Sequence, residues 1–149
     1  MILKLTAALI LGAAVAAGCT SGASDTDRSP TPDSPTASVK VLAPADFQSS
    51  IAGADVFVVN VHIPYEGEIA GTDAFIPFDE IQEHAAELPA DKSAPLYIYC
   101  RSGRMSAEAT PALQRLGYTN IVDLAGGMRA WEEAGLPLTH RAVARATGG

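Results

Sequence analysis

Cys100 is followed at once by Arg101, Ser102, Gly103, Arg104, Met105 and Ser106. These residue types at this spacing suit nucleophilic sulfur chemistry. The nucleophile is a thiolate, which nearby positive charge and inward-facing amides favour. Gly103 permits backbone conformations that turn several N–H groups inward. Together with the positive end of a following helix, such a loop makes an anion cradle, and the expectation is a thiol with a lowered pKa. Arg101 and Arg104 add local positive charge to a chain whose formal net charge is -7. A lone cysteine is most often an inert core residue. Here the six residues after it include two Arg, two Ser and one Gly, which do not build a core.

Something must hold that loop in place. Leu96 to Tyr99 reads as a buried strand that delivers Cys100 at its C-terminal end. A helix from about Arg104 to Leu116 follows, with Gly117 as its stop and Pro111 inside it as a possible kink. Further strands are expected at Val39–Leu42, Asp55–Val61 and Ile121–Leu124. The second of these is a continuous β-branched run of the kind buried on both faces of a parallel sheet. Pro44 suits the first turn of a helix reaching Ile51. Asp79 can cap another helix through about Leu88, and Gly126-Gly127 turns into a last helix holding Trp131 and ended by Gly135. Strands alternating with helices predict an α/β fold with a mainly parallel central sheet. Ligands of such sheets sit outside the carboxyl ends of the strands, where Cys100 falls.

The segment Tyr99-Cys100-Arg101-Ser102-Gly103-Arg104-Met105-Ser106 resembles the active-site loop of rhodanese-like domains. Gly126-Gly127-Met128-Arg129-Ala130-Trp131 resembles the family's later Gly-Gly-x-x-x-Trp motif, and the spacing between the two also fits, as does Leu116-Gly117-Tyr118. The resemblance runs from about Val39 to Leu138. It implies a rhodanese-like α/β fold with helices on both faces of the sheet, and a sulfurtransferase. Cys100 would be nucleophile and sulfur carrier, taking the outer sulfur of a small anionic donor such as thiosulfate as a persulfide. A thiol or other thiophilic acceptor would receive it. Arg101, Ser102, Gly103, Arg104, Met105 and Ser106 would form the cradle, and Gly126, Gly127 and Trp131 would be structural. No metal or organic cofactor is implied.

Three departures stand out. The family's Arg five residues after the cysteine is Met105 here, so either Arg104 takes its place or the donor preference differs. Asn60-Val61-His62 replaces a common Asp-x-Arg, and His62 ends at the carboxyl edge where it could reach the site. The segment 66–78 replaces a Gly-His-Ile-x-Gly-Ala region, and its Glu68 and Asp73 could line the pocket or face water.

Two rival functions follow from the same residues. A phosphatase or arsenate reductase of the Cys-x5-Arg type needs Arg six residues after the cysteine, and that position is Ser106. A rhodanese module that binds a partner or senses redox state at the cell surface is the alternative from a different class. Nucleic-acid binding is excluded by the acidic balance, which lacks a basic face.

The remaining sequence concerns location. Residues 1–18 read as a signal peptide: Lys4, then an apolar run from Leu5 to Ala17 too short to span a bilayer. The run ends in Ala16-Ala17-Gly18-Cys19, which resembles a bacterial lipobox with Cys19 as the lipidated residue. Residues 19–38, rich in Ser, Thr, Pro and Asp, read as a disordered tether. A domain over 39–138 and a loose tail over 139–149 complete the organisation. The expectation is an exported protein, lipid-anchored to the outer face of the bacterial cell membrane. With Cys19 so used, Cys100 has no partner for a disulfide. No Cys-x-x-Cys pair or zinc spacing is present, so no metal is expected.

Overall fold

The computed structural model describes residues 37–140 of the 149. The leader, Cys19, the tether before residue 37 and residues 141–149 lie outside them. Five strands alternate with helices: β1 (Ser38–Leu42), α1 (Pro44–Ile51), β2 (Phe57–Asn60), β3 (Ala74–Phe75), a 3-10 turn at Ala85–Glu87, β4 (Leu96–Tyr99), α2 (Arg104–Arg115), β5 (Asn120–Leu124) and α3 (Gly127–Glu133). They form one sheet in the order β1-β5-β4-β2-β3, and every pairing is parallel. The α/β class with a parallel central sheet is therefore correct.

β4 sits at the centre of the sheet and is buried throughout, and its alternating side chains feed two cores. Leu96 and Ile98 join Val59, Ile121, Ala109 and Leu113 under α2. Tyr97 and Tyr99 join Val58, Val122, Phe47 and Trp131 under α1 and α3. Helices thus cover both faces. Phe47 stands edge-on to Tyr97, with centroids 5.3 Å apart, and to Trp131 at 6.4 Å. The indole N–H of Trp131 donates to the Pro137 carbonyl at 3.0 Å, which accounts for its buried polar end.

Two expectations need correction. The helix expected from Asp79 to Leu88 is a series of turns ending in the 3-10 segment. Its bonds are mostly tight ones, Glu80 N–H to Pro77, Glu83 N–H to Glu80 and Glu87 N–H to His84. Only Ile81 and Leu88 are buried there, and no apolar residue larger than Ala lies between them. Second, Ala74–Phe75 forms an edge strand beside β2 that the sequence pattern does not announce. α2, by contrast, runs through Pro111 as one helix.

Candidate functional site

Cys100 follows the last residue of β4 at the carboxyl edge of the sheet and is 1% exposed. Gly103, at φ 90°, turns the chain into α2 and serves as its N-cap, a left-handed conformation that suits glycine. No side chain caps this helix. The sulfur supplies an acceptor instead: Gly103 N–H donates to Cys100 Sγ at 3.0 Å. Cys100 Sγ therefore lies at the positive end of α2, a setting that suits an anionic sulfur. Ser106 Oγ, fully buried in the first turn of α2, lies 3.7 Å from the same sulfur. It also lies 3.1 Å from the Gly103 carbonyl and 3.1 Å from Asp123 Oδ2. Burial pushes the Asp123 carboxyl up to about 6, against the lowering effect of its bonds from Ser106 and the Leu124 amide.

The loop is held from behind by the Gly-Gly turn. Met128 N–H donates to the Cys100 carbonyl at 2.9 Å and Arg129 N–H to the Arg101 carbonyl at 3.0 Å. Two amides at the start of α3 thereby occupy two loop carbonyls. Gly127, at φ 61°, makes this approach possible: a Cβ there would collide with the Cys100 carbonyl oxygen, the Arg101 carbonyl carbon and the Ser102 nitrogen.

A cavity of about 480 Å³ opens over Cys100. Arg101, Ser102, Arg104 and Met105 line it from the loop, His62 and Glu66 from the chain after β2, and Arg129 from α3. Three guanidinium groups thus face one acidic residue. Arg101 Nε lies 2.9 Å from Glu66 Oε2 and its Nη1 3.3 Å from Glu132 Oε2. Arg104, two-thirds exposed, pairs with Glu108 at 2.7 Å. Arg129 makes no ion pair among the described residues, so its charge is the least compensated of the three. His62 is 7% exposed; its Nε2 lies 3.3 Å from Glu66 Oε2 and its Nδ1 3.3 Å from the Met105 sulfur. The Nε2 contact is at ion-pair distance but lacks hydrogen-bond geometry. Asn60 sets this corner: its Nδ2 donates to the Gly67 carbonyl and its Oδ1 accepts from the His62 amide, both at 3.0 Å.

The residues singled out in the sequence therefore meet. Cys100, Arg101, Ser102, Arg104, Met105 and His62 share one cavity, with Gly103 and Ser106 against the sulfur. Asp73 does not join them: its Oδ2 accepts the Val58 amide at 2.8 Å, and it lines a separate cavity with Asp55 and Phe57. Glu68 bridges through its backbone to Thr139 and does not line the cavity over Cys100. Three residues escaped sequence reasoning. Asp123 could have been found as a charge inside the apolar run Ile121–Leu124, and Arg129 as the charged residue between Gly-Gly and Trp131. Glu66 carries no local signal, because its place depends on the loop tied down by Asn60.

A family model for the rhodanese-like domain matches residues 43–134. This chain belongs to the rhodanese-like family. A sulfurtransferase of Allochromatium vinosum is 38% identical over 88 residues, covering 56% of this chain and 78% of that protein. The thiosulfate sulfurtransferase PspE of Escherichia coli is 34% identical over 73 residues, covering 48% and 69%. A rhodanese-related protein of Thermoplasma volcanium superposes with a TM-score of 0.57 at 32% identity, over 67% of this chain and 97% of that one. Two further curated relatives are longer, and the chain spans 54% and 21% of them. The rhodanese-like neighbours share the α/β arrangement described above.

Proposed function

We propose that this protein is a sulfurtransferase that carries a sulfane sulfur on Cys100. Family membership and sulfurtransferase relatives support the activity in general. The observation that carries the residue-level reading is Cys100 Sγ held 3.0 Å from the Gly103 amide, under a cavity bearing three arginines. A cation-lined cavity of this kind suits a small dianion such as thiosulfate.

The chemistry is a pair of displacements at sulfur. The Cys100 thiolate attacks the outer sulfur of thiosulfate, the donor's S–S bond breaks, and sulfite leaves with the bonding electron pair. Cys100 then holds a persulfide. A thiophilic acceptor such as cyanide attacks the outer sulfur, leaves as thiocyanate and returns the thiolate. Neither step consumes a metal or an organic cofactor. Arg129, with Arg101 and Arg104, would hold the sulfonate end of the donor. Turnover of thiosulfate with cyanide, lost in Cys100→Ser, tests the reading. A folded protein with no turnover would shift the assignment to a binding or redox-sensing module.

The proposal extends to location: export, and attachment to the outer face of the membrane through Cys19. Its support is the leader and the Ala17-Gly18-Cys19 run. Cys19→Ser should move the protein from the membrane fraction to the soluble one. Identical fractionation of both forms would remove the anchor from the account.

A further inference from the structure

Ser106 has one hydroxyl proton and three acceptors within reach. They are the Cys100 sulfur at 3.7 Å, the Gly103 carbonyl at 3.1 Å and Asp123 Oδ2 at 3.1 Å. Ser106 is fully buried and Asp123 is 8% exposed, so water does not relieve the competition. Asp123 Oδ1 is itself buried and meets no donor in hydrogen-bond geometry among the described residues, although the Leu124 amide lies near the carboxyl. An ionised Asp123 is therefore under-solvated and draws the strongest donor available to it.

We propose that Asp123 is a positioning residue whose protonation state decides whether the Ser106 hydroxyl points at the reactive sulfur. With Asp123 ionised, the Ser106 O–H donates to Oδ2 and its lone pairs face Cys100. With Asp123 protonated, its own O–H donates to Ser106 Oγ, which frees the Ser106 proton for an anionic sulfur. One proton is taken up from solvent by the Asp123 carboxylate; the Ser106–Asp123 hydrogen bond reverses direction and a Ser106–Cys100 one forms. The sulfur thus has the Gly103 amide as a constant donor and Ser106 as a conditional one.

Few charged groups surround Asp123. On β4, Tyr97 and Tyr99 belong to the opposite face, which leaves Cys100 as the ionisable residue on its side. On β1 its register partner is Val41, and Lys40 is exposed. On α2, Arg104 and Glu108 pair with each other at the surface, and Arg115 is exposed in the last turn. The titration of Asp123, pushed up by burial to about 6, falls where a modest change of pH alters the direction of the chain of bonds.

The inference gains its purpose from the sulfurtransferase reading, but its test does not depend on it. Full-length protein is alkylated with iodoacetamide from pH 4.5 to 8.5, and the Cys100 peptide is followed by mass spectrometry so that Cys19 does not interfere. In the wild type the logarithm of the rate should rise with pH, flatten as Asp123 ionises and Ser106 turns away, then rise again. Asp123→Asn should abolish the flattening and react faster above pH 6 by about two- to tenfold, the range for one net hydrogen bond. Ser106→Ala should also abolish it while lowering the rate at acid pH. An Asn variant that superimposes on the wild type would overturn the inference. So would a Ser106→Ala profile that keeps the full flattening, since the coupling would then bypass the hydroxyl. Should Asp123→Asn fail to fold, the Ser106→Ala profile decides. A protein that shows these profiles but takes no sulfur from thiosulfate would sink the proposed function and leave the relay intact.

Discussion

The Met128 amide donates to the Cys100 carbonyl at 2.9 Å, so the reactive loop is gripped at its first peptide by the Gly-Gly turn. This contact explains why two motifs distant in the sequence belong to one device. The turn fixes the carbonyl side of the loop, and the Gly103 amide on the other side meets the sulfur.

Gly127 is the point at which that grip is most easily broken. Its φ of 61° costs a non-glycine residue about 1–2 kcal/mol, and a methyl group would also strike the loop backbone. Gly127→Ala should therefore lower stability by about 1–3 kcal/mol, the usual range for a strained backbone position. It should also slow the reaction of Cys100 with thiosulfate at temperatures where the variant is still folded. Urea unfolding together with single-turnover kinetics checks both. A variant as stable and as fast as the wild type would show that the loop keeps its shape without the turn.

Glu66 and Arg129 should act in opposite directions. Glu66 engages the Arg101 guanidinium at 2.9 Å and presents a carboxylate to the cavity an anion would enter. Both partners are partly exposed, so the pair itself contributes little, under about 1 kcal/mol. Glu66→Gln should raise kcat/KM for thiosulfate by about two- to fivefold, consistent with that bound. Arg129→Ala should lower it by about tenfold or more, as for loss of a charge-assisted contact. Arg104→Ala, already paired with Glu108, should fall short of the Arg129 effect. The reverse ranking of the two arginines would place the donor on the Arg104 side of the cavity.

The loop and its strand are legible in sequence for a physical reason. A polar, Arg- and Gly-containing run straight after the buried Leu96–Tyr99 strand can stand only at a sheet edge, and parallel topology makes that the carboxyl edge. Local signals suffice for α1, α2 and α3 because Pro44 opens the first, Gly117 stops the second, and Gly126-Gly127 and Gly135 bound the third. They fail at Ala74–Phe75, where two residues carry no period and the pairing with β2 is decided by tertiary packing. They fail again at Asp79–Leu88, where a capping residue was present but a continuous apolar face was not. The ion pair of Glu66 with Arg101 and the link from Ser106 to Asp123 join residues far apart in the chain, which local patterns do not record.

Asp123 also makes a statement about stability. Its carboxyl titrates near 3.8 when free and at about 6 in the folded protein, so the folded state holds the proton more tightly. Such a group contributes stability that is fully present below the lower value and is lost as pH rises through the upper one. The interval corresponds to about 3 kcal/mol at most. Stability of the wild type relative to Asp123→Asn should therefore decline between pH 4 and pH 6 and level off above. Paired urea titrations across that window measure it. A difference independent of pH would mean that burial does not raise the Asp123 carboxyl.

The central claim is that Cys100 carries the transferred sulfur, and intact-mass spectrometry after brief treatment with thiosulfate tests it most directly. The expected result is a gain of one sulfur atom, localised to the Cys100 peptide, removed by cyanide and absent from Cys100→Ser. A folded wild-type protein that keeps its original mass under the same treatment, or a Cys100→Ser variant that gains the same sulfur, would contradict it.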